Sequence, residues 1–207
     1  MRLQKQKSYI DISDEIGRTS NKRSKAGKKA KNKGSTFERR MAKSLGDWWG
    51  SKFYRTPQSG GSVLKEGYEL AGDITTPDSD FRLHIECKNQ ECWTMHGFLT
   101  SEKSSVWKWW QQTLDDCPKD RVPTLVFTKN HVPVWVMVPF LFWSVLNDNI
   151  CDHRISNGQS LVDGDLFSDK STIAVGDTII VTLDRFLAIP KEVLIWTLQD
   201  IGVISNE

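Results

Sequence analysis

Asp73, Glu86 and Lys88 are the residues whose types and spacing can do chemistry together in this chain. They lie in the stretch Gly72 to Lys88, GDITTPDSDFRLHIECK. From Phe81 to Lys88 apolar and polar residues alternate. Phe81, Leu83, Ile85 and Cys87 fall on one face, and Arg82, His84, Glu86 and Lys88 on the other. Period-two alternation marks a half-buried strand and sends residues i and i+2 the same way. Glu86 and Lys88 therefore project side by side. Pro77-Asp78-Ser79-Asp80 is turn chemistry. Ala71 to Thr75, ahead of that turn, is expected to pair antiparallel with the strand and so to bring Asp73 next to Glu86.

Two carboxylates at one spot repel each other and call for a cation. Hard oxygen ligands suit Mg²⁺, which keeps several waters and also takes phosphate oxygens. An ammonium beside such an ion can orient a water or stabilise charge as a phosphodiester is attacked. Asp, then Glu-x-Lys on a strand, is thus a minimal set for phosphodiester hydrolysis. The plainer reading is an exposed charged strand face with a cross-strand ion pair. This stretch alone favours that plainer reading, because Glu-x-Lys is common.

The elements that must position these residues come from the rest of the chain. Its 207 residues suit one domain with extensions, or at most two small ones. No apolar run approaches the roughly 20 residues of a membrane span. The polar, lysine-rich start lacks the apolar region of a secretory signal, so an intracellular setting without membrane partners is expected. Cys87, Cys92, Cys117 and Cys151 have no paired spacing. Cys87 and Cys92 with His96 could contribute to a soft-metal site, but Cys87 points to the core face of its strand, which argues against zinc. A reduced protein is the simpler account.

Charge is divided unevenly. Residues 1–34 carry 11 Lys and Arg against 3 Asp and Glu, whereas the remainder carries 17 against 23. Lys22 to Lys33 holds no acid. A segment of this composition cannot bury a core, so residues 1–33 are expected to be a disordered arm. Lys28, Lys29, Lys31 and Lys33 would give it counterion-release affinity for nucleic acid. A solubilising tail is an equal alternative.

Next, Ser35-x-x-Glu38 reads as a capping box opening a helix, with Phe37, Met41 and Leu45 on one buried stripe. Glu38 is then the box partner, or an acid aimed at the metal, or both. Lys52 to Thr56 reads as a strand. The loop Pro57 to Ser62 is an ordinary turn, or one in which Ser59 donates to a phosphate beside Arg55.

In this order, KGSTFER, YRTPQSGG, GDI and IECKN resemble the archaeal-type Holliday junction resolvases and their phage relatives, in the PD-(D/E)xK nuclease superfamily. The matching residues are Gly34, Ser35, Glu38 and Arg39 on the first helix, Arg55 with Ser59-Gly60, Asp73, and Glu86-Cys87-Lys88. The likeness is close over about residues 33–90 and weaker to about residue 140. Two departures stand out: the Ser59 to Asp73 loop looks long, and Gly72 replaces the superfamily's proline.

The resemblance implies an α/β fold with a restriction-endonuclease-like core, a mixed central β-sheet flanked by helices. It implies one or two Mg²⁺ or Mn²⁺ ions held by Asp73, Glu86 and the Cys87 carbonyl, with Glu38 adding a ligand directly or through water. Lys88 would act on the attacking water, while Ser59, Arg55 and Arg39 would position DNA phosphate. The substrate implied is branched DNA, a four-way junction, cut by a homodimer in paired nicks. A flap, fork or sequence-specific nuclease on the same core is the rival reading. A DNA-binding scaffold with a decayed site is a second rival, opposed by the presence of Asp73, Glu86 and Lys88.

Beyond Lys88, Ser101 to Leu114 reads as a helix with Val106, Trp109, Trp110 and Leu114 inward and Trp107 flanking. An exposed Trp107 could stack on an unpaired base. Gln111 and Gln112 are placed to reach the metal or a DNA phosphate. Pro123–Thr128 and Val132–Val138 form an expected hairpin, with Pro133 putting the second strand at an edge. Pro139 to Leu146 reads as an apolar helix suited to a dimer contact. The nuclease core is thus expected over residues 34–150. Residues 151–207 form an extension packing on the core or dimer, loop-like from Cys151 to Asp169, with a strand at Asp177 to Leu183 and a helix opened by Pro190.

Overall fold

The computed structural model describes residues 9–56, 72–156 and 172–203, with side chains over 27–56, 72–152 and 172–203. In chain order the elements are α1 (Tyr9–Trp49), β1 (Tyr54–Arg55), β2 (Ile74–Thr75), β3 (Leu83–Asn89), α2 (Met95–Thr100), α3 (Ser105–Asp116), β4 (Val122–Thr128), β5 (Trp135–Pro139), α4 (Phe140–Ser156), β6 (Thr172–Val175), β7 (Thr178–Thr182), α5 (Leu183–Leu187) and α6 (Lys191–Asp200).

A five-stranded sheet in the order β3-β4-β5-β7-β6 forms the centre. β3 and β4 are parallel and the other neighbours antiparallel, so the sheet is mixed and the fold is α/β. Strand alternation divides two apolar clusters between its faces. Leu83, Ile85, Val122, Val126, Val136, Val138, Ile179 and Val181 meet α1, α4, α5 and α6. Leu125, Phe127, Met137 and Ile180 meet α2 and α3. Each face buries large side chains, including Trp143 on the first and Phe98 on the second. No described helix is long and apolar enough to cross a membrane.

Several local expectations change. β3 is covered on both faces rather than half-buried. His84, on its polar face, is only 1% exposed, because α3 lies over it. The helix expected to open at Ser35 begins at Tyr9, so residues 9–33 are helical and continuous with the site helix. Ser35 is no N-cap. Its hydroxyl donates back to the Lys31 carbonyl at 3.1 Å, the way a mid-helix serine is satisfied without ending the helix. The helix expected over Ser101 to Leu114 is α3, which opens at Ser105 and runs to Asp116, and a short helix that was not expected, α2, precedes it; each is opened by a capping side chain: Thr94 accepts from Gly97 N–H and Ser104 from Val106 N–H. Leu114 is exposed.

β5 is an interior strand, not an edge. Pro133 precedes it and needs no ladder bond, and β7 pairs with its other side. The C-terminal part packs on the core by completing its sheet. β6 and β7 extend the sheet beyond β5, and α6 packs on α4. The expected loop from Cys151 begins as the end of α4, and residues 157–171 lie outside the described residues. Pro190 stands as the N-cap of α6, one place before the first helical position.

Candidate active site

Asp73 reaches the site through a backbone arrangement that Gly72 makes possible. β2 pairs antiparallel with β1, not with β3 as expected. Gly72 instead forms a parallel bridge to Ile85. Its φ of +78° is left-handed, and a Cβ there would lie 2.4 Å from the Ile85 carbonyl oxygen. Only glycine allows both the conformation and the approach. This gives the departure from the superfamily's proline its physical reason: the chain turns against β3 at this residue.

The next residue is then locked to β3. The Asp73 N–H donates to the Ile85 carbonyl at 2.8 Å, and one Asp73 carboxylate oxygen accepts from the Cys87 N–H at 2.8 Å. β3 is an outer strand of the sheet, so its free backbone groups need such a partner. In a strand, a residue's N–H and C=O point to the same side, so the Cys87 carbonyl faces this same edge beside Asp73. The Cys87 side chain lies in the core with Ile85 and Met41, where burial pushes its thiol pKa well up. It contributes backbone, not sulfur.

Glu86 and Lys88 lie on the opposite face of β3, under α3. Lys88 Nζ donates to Glu86 Oε1 at 2.6 Å and to Gln112 Oε1 at 3.0 Å. Gln112 Nε2 approaches Glu86 Oε1 at 3.4 Å. The helix glutamine at the site is therefore Gln112. Gln111 is exposed and donates to Asp115 at 2.8 Å, so its expected reach to the site is not realised. Residues i and i+1 on a helix point apart, which leaves one of two adjacent glutamines inward.

α1 supplies Glu38, 6% exposed, and holds it against the Arg55 guanidinium of β1. Arg55, expected at a phosphate, is thus engaged by Glu38, and Glu38 is no box partner for Ser35. The end of α1 is pinned to the turn before β3: Trp49 Nε1 and Ser51 Oγ both donate to Asp78 Oδ2 at 2.9 Å. These bonds hold the Asp78 carboxyl below the usual range even though burial opposes it.

Crowded carboxylates dominate the electrostatics of the site. Asp73 is 7% exposed. Burial, then the nearby Glu86 carboxylate, raise its pKa from 3.8 to about 6, against the opposing Cys87 N–H bond. Glu38 adds to the rise, and Lys88 opposes it. Buried acids crowded beside one ammonium are what a cation site requires. Among the described residues, no three His, Cys, Asp or Glu side chains converge as a metal cluster. Two carboxylates and a carbonyl remain as the donor set. That is the sparse, all-oxygen set Mg²⁺ or Mn²⁺ uses when water and substrate phosphate complete the shell. The residues fit the ion.

The remaining expected residues are dispersed. Lys28, Lys29, Lys31 and Arg39 are exposed on α1. Lys33 pairs with Glu91, just beyond β3. Ser59 lies outside the described residues. Trp107, expected exposed for base stacking, is half-buried against Phe98, with ring centroids 5.0 Å apart and its N–H on the Phe98 carbonyl. The Lys33–Glu91 contact has no signal in the sequence, since 58 positions separate the two residues.

Neither the curated proteins nor the solved structures searched contain a match. A family model does match, over residues 29–195, which span α1 from Lys29, the whole sheet and the first half of α6. The chain belongs to that family, described as "Phage putative PDDEXK endonuclease".

Proposed function

We propose that the chain is a Mg²⁺- or Mn²⁺-dependent endodeoxyribonuclease that cuts four-way DNA junctions by paired nicks. The observation that carries the nuclease part is the meeting of Asp73, Glu86 and Lys88 at the outer edge of β3, with Gln112 bonded to both members of the Glu86–Lys88 pair. The junction part rests on the resemblance of the Gly34–Arg39, Arg55 and Gly72–Lys88 motifs to junction resolvases.

Asp73, Glu86 and the Cys87 carbonyl are the proposed ligands. When bound, the cation polarises the phosphodiester and lowers the pKa of water. The chain does the rest. Glu86 and Gln112 fix the Lys88 ammonium, which orients the attacking water and donates to the oxygen on which charge develops. The water oxygen attacks phosphorus and the bond to the 3′ oxygen breaks, leaving a 5′-phosphate and a 3′-hydroxyl. The Cys87 N–H fixes the Asp73 carboxylate, so little reorganisation is needed at the moment of reaction. Glu38, tied to Arg55, shapes the field at Asp73 from the other side.

Two cuts on opposing strands need two sites, and a two-fold dimer supplies them. Phe140 and Leu141 at the start of α4 are exposed, Leu141 by 71%, and offer apolar surface for such a contact. The test is cleavage of a strand-labelled mobile four-way junction beside a flap and a linear duplex. Symmetric paired nicks in the junction alone support resolution. Cutting of the flap or duplex would move the same site to another nuclease role.

A further inference from the structure

A cleft of about 380 Å³ lies at the end of α3 remote from Gln112, where the chain leaves β3. Its lining carries two ammonium groups, Lys103 and Lys129, together with the Ser101 and Ser104 hydroxyls and Trp93. Lys129 is fixed there: its Nζ donates to the Trp93 carbonyl at 2.9 Å and stands 5.3 Å from that residue's ring centroid. Lys103, also in the lining, is exposed. One acid, Glu91, also lines the cleft. Its charge is spoken for by Lys33 and by the Asn130 N–H, which together hold its carboxyl below the usual range. With Lys33 included, three cations face one carboxylate.

α3 runs from this cleft to the active site. The Ser105 hydroxyl donates to the Cys92 carbonyl at one end of α3, and Gln112 touches Glu86 and Lys88 at the other. Seven helical steps take Ser105 to Gln112, a rise of about 10 Å. Laid along the axis of duplex DNA, where the phosphates of one strand rise by about 3.4 Å each, that is about three phosphate steps.

We infer that the Lys103–Lys129 cleft is a second phosphodiester-binding site, which grips the substrate strand about three phosphates from the bond that is cut. Lys129 is held ready by Trp93, and the exposed Lys103 supplies the second ammonium to the same phosphate. The two serine hydroxyls are of a size and chemistry to donate to its oxygens. Contacts of this kind set register without reading bases. The inference rests on the nuclease reading, since it takes its distance from the Asp73–Glu86–Lys88 centre.

The test measures binding of a fluorescent four-way junction in EDTA, so that no strand is cut. It compares the full-length wild type with Lys103→Glu, with Lys129→Gln, and with Lys119→Glu as an equal charge change at the far end of β4. Lys103→Glu is expected to weaken binding about tenfold and to lower the salt slope by about 1, and Lys119→Glu to do neither. A junction carrying one neutral methylphosphonate, moved along the strand, adds the positional readout. Wild type should lose affinity at one position about three phosphates from the cut, and Lys103→Glu should be insensitive at that position. Equal effects of Lys103→Glu and Lys119→Glu, or no position lost with Lys103, overturn the inference even if Mg²⁺-dependent cutting by wild type proceeds. Absence of both binding and cutting by wild type overturns the nuclease reading and the inference with it.

Discussion

Replacing Asp73 with asparagine should make the metal-free protein more stable above neutrality, while removing its activity. Asp73 carries a pKa of about 6 in the fold against 3.8 for an ordinary aspartate. At 1.36 kcal/mol per tenfold change in proton affinity, the ionised form is disfavoured by about 3 kcal/mol. The sign follows from the direction of the shift. Folding raises this pKa, so the folded chain binds the extra proton, and stability is lost as pH rises from about 4 through about 6. Below that window Asp73 is neutral in both states, and the substitution should change little. Asparagine carries no charge, and its carbonyl can still accept the Cys87 N–H. At 2–4 °C per kcal/mol for a chain of this size, Tm in EDTA at pH 8 should rise by about 6–12 °C, and the gain should vanish towards pH 4. Added Mg²⁺ should raise the wild-type Tm at pH 8 by mass action and leave Asp73→Asn unmoved. Thermal unfolding across pH, with and without Mg²⁺, reads both. A variant no more stable than wild type at pH 8, or one stabilised equally at pH 4, would refute the crowded-carboxylate account.

Gln112→Met should lower kcat about tenfold with KM unchanged, because the lost amide fixes Lys88 rather than substrate; single-turnover cleavage separates this from a binding defect. Gly72→Ala should destabilise the fold by more than the 1–2 kcal/mol of a left-handed alanine, since its Cβ would strike the Ile85 carbonyl; urea unfolding measures the loss. Deleting residues 1–33 should weaken DNA binding and flatten its salt dependence by roughly one unit of slope per phosphate contact removed; an unchanged slope in a salt titration would make the basic stretch a bystander.

What could be read in the sequence was the chemistry and the strand that carries it. Alternation from Phe81 to Lys88 put Glu86 and Lys88 together, and the structure bonds them. The side chains that cover β3 were not legible, because alternation looks the same whether the polar face meets water or α3. The path of Asp73 was half legible. Its nearness to Glu86 follows from the short turn, but the parallel bridge depends on the left-handed Gly72, which a sequence pattern does not specify. The start of α1 was obscured by Gly34 and Ser35, both boundary residues by habit. Here the Ser35 hydroxyl bonds back within the helix, and nothing at Gly34 forces a stop. Pro133 suggested an edge because a proline inside a strand would break the ladder; it sits just before β5, where it breaks nothing. The Arg55–Glu38 and Lys33–Glu91 pairs join distant segments and follow from tertiary structure alone.

The most direct test of the central claim is strand scission of a labelled four-way junction by wild type, Asp73→Ala, Glu86→Ala and Lys88→Ala, each with Mg²⁺ and with EDTA. The account predicts cutting by wild type with Mg²⁺ only. It predicts loss of cutting in all three variants, with junction binding in EDTA largely kept. Full cleavage by any one variant, or cleavage by wild type in EDTA, would contradict it.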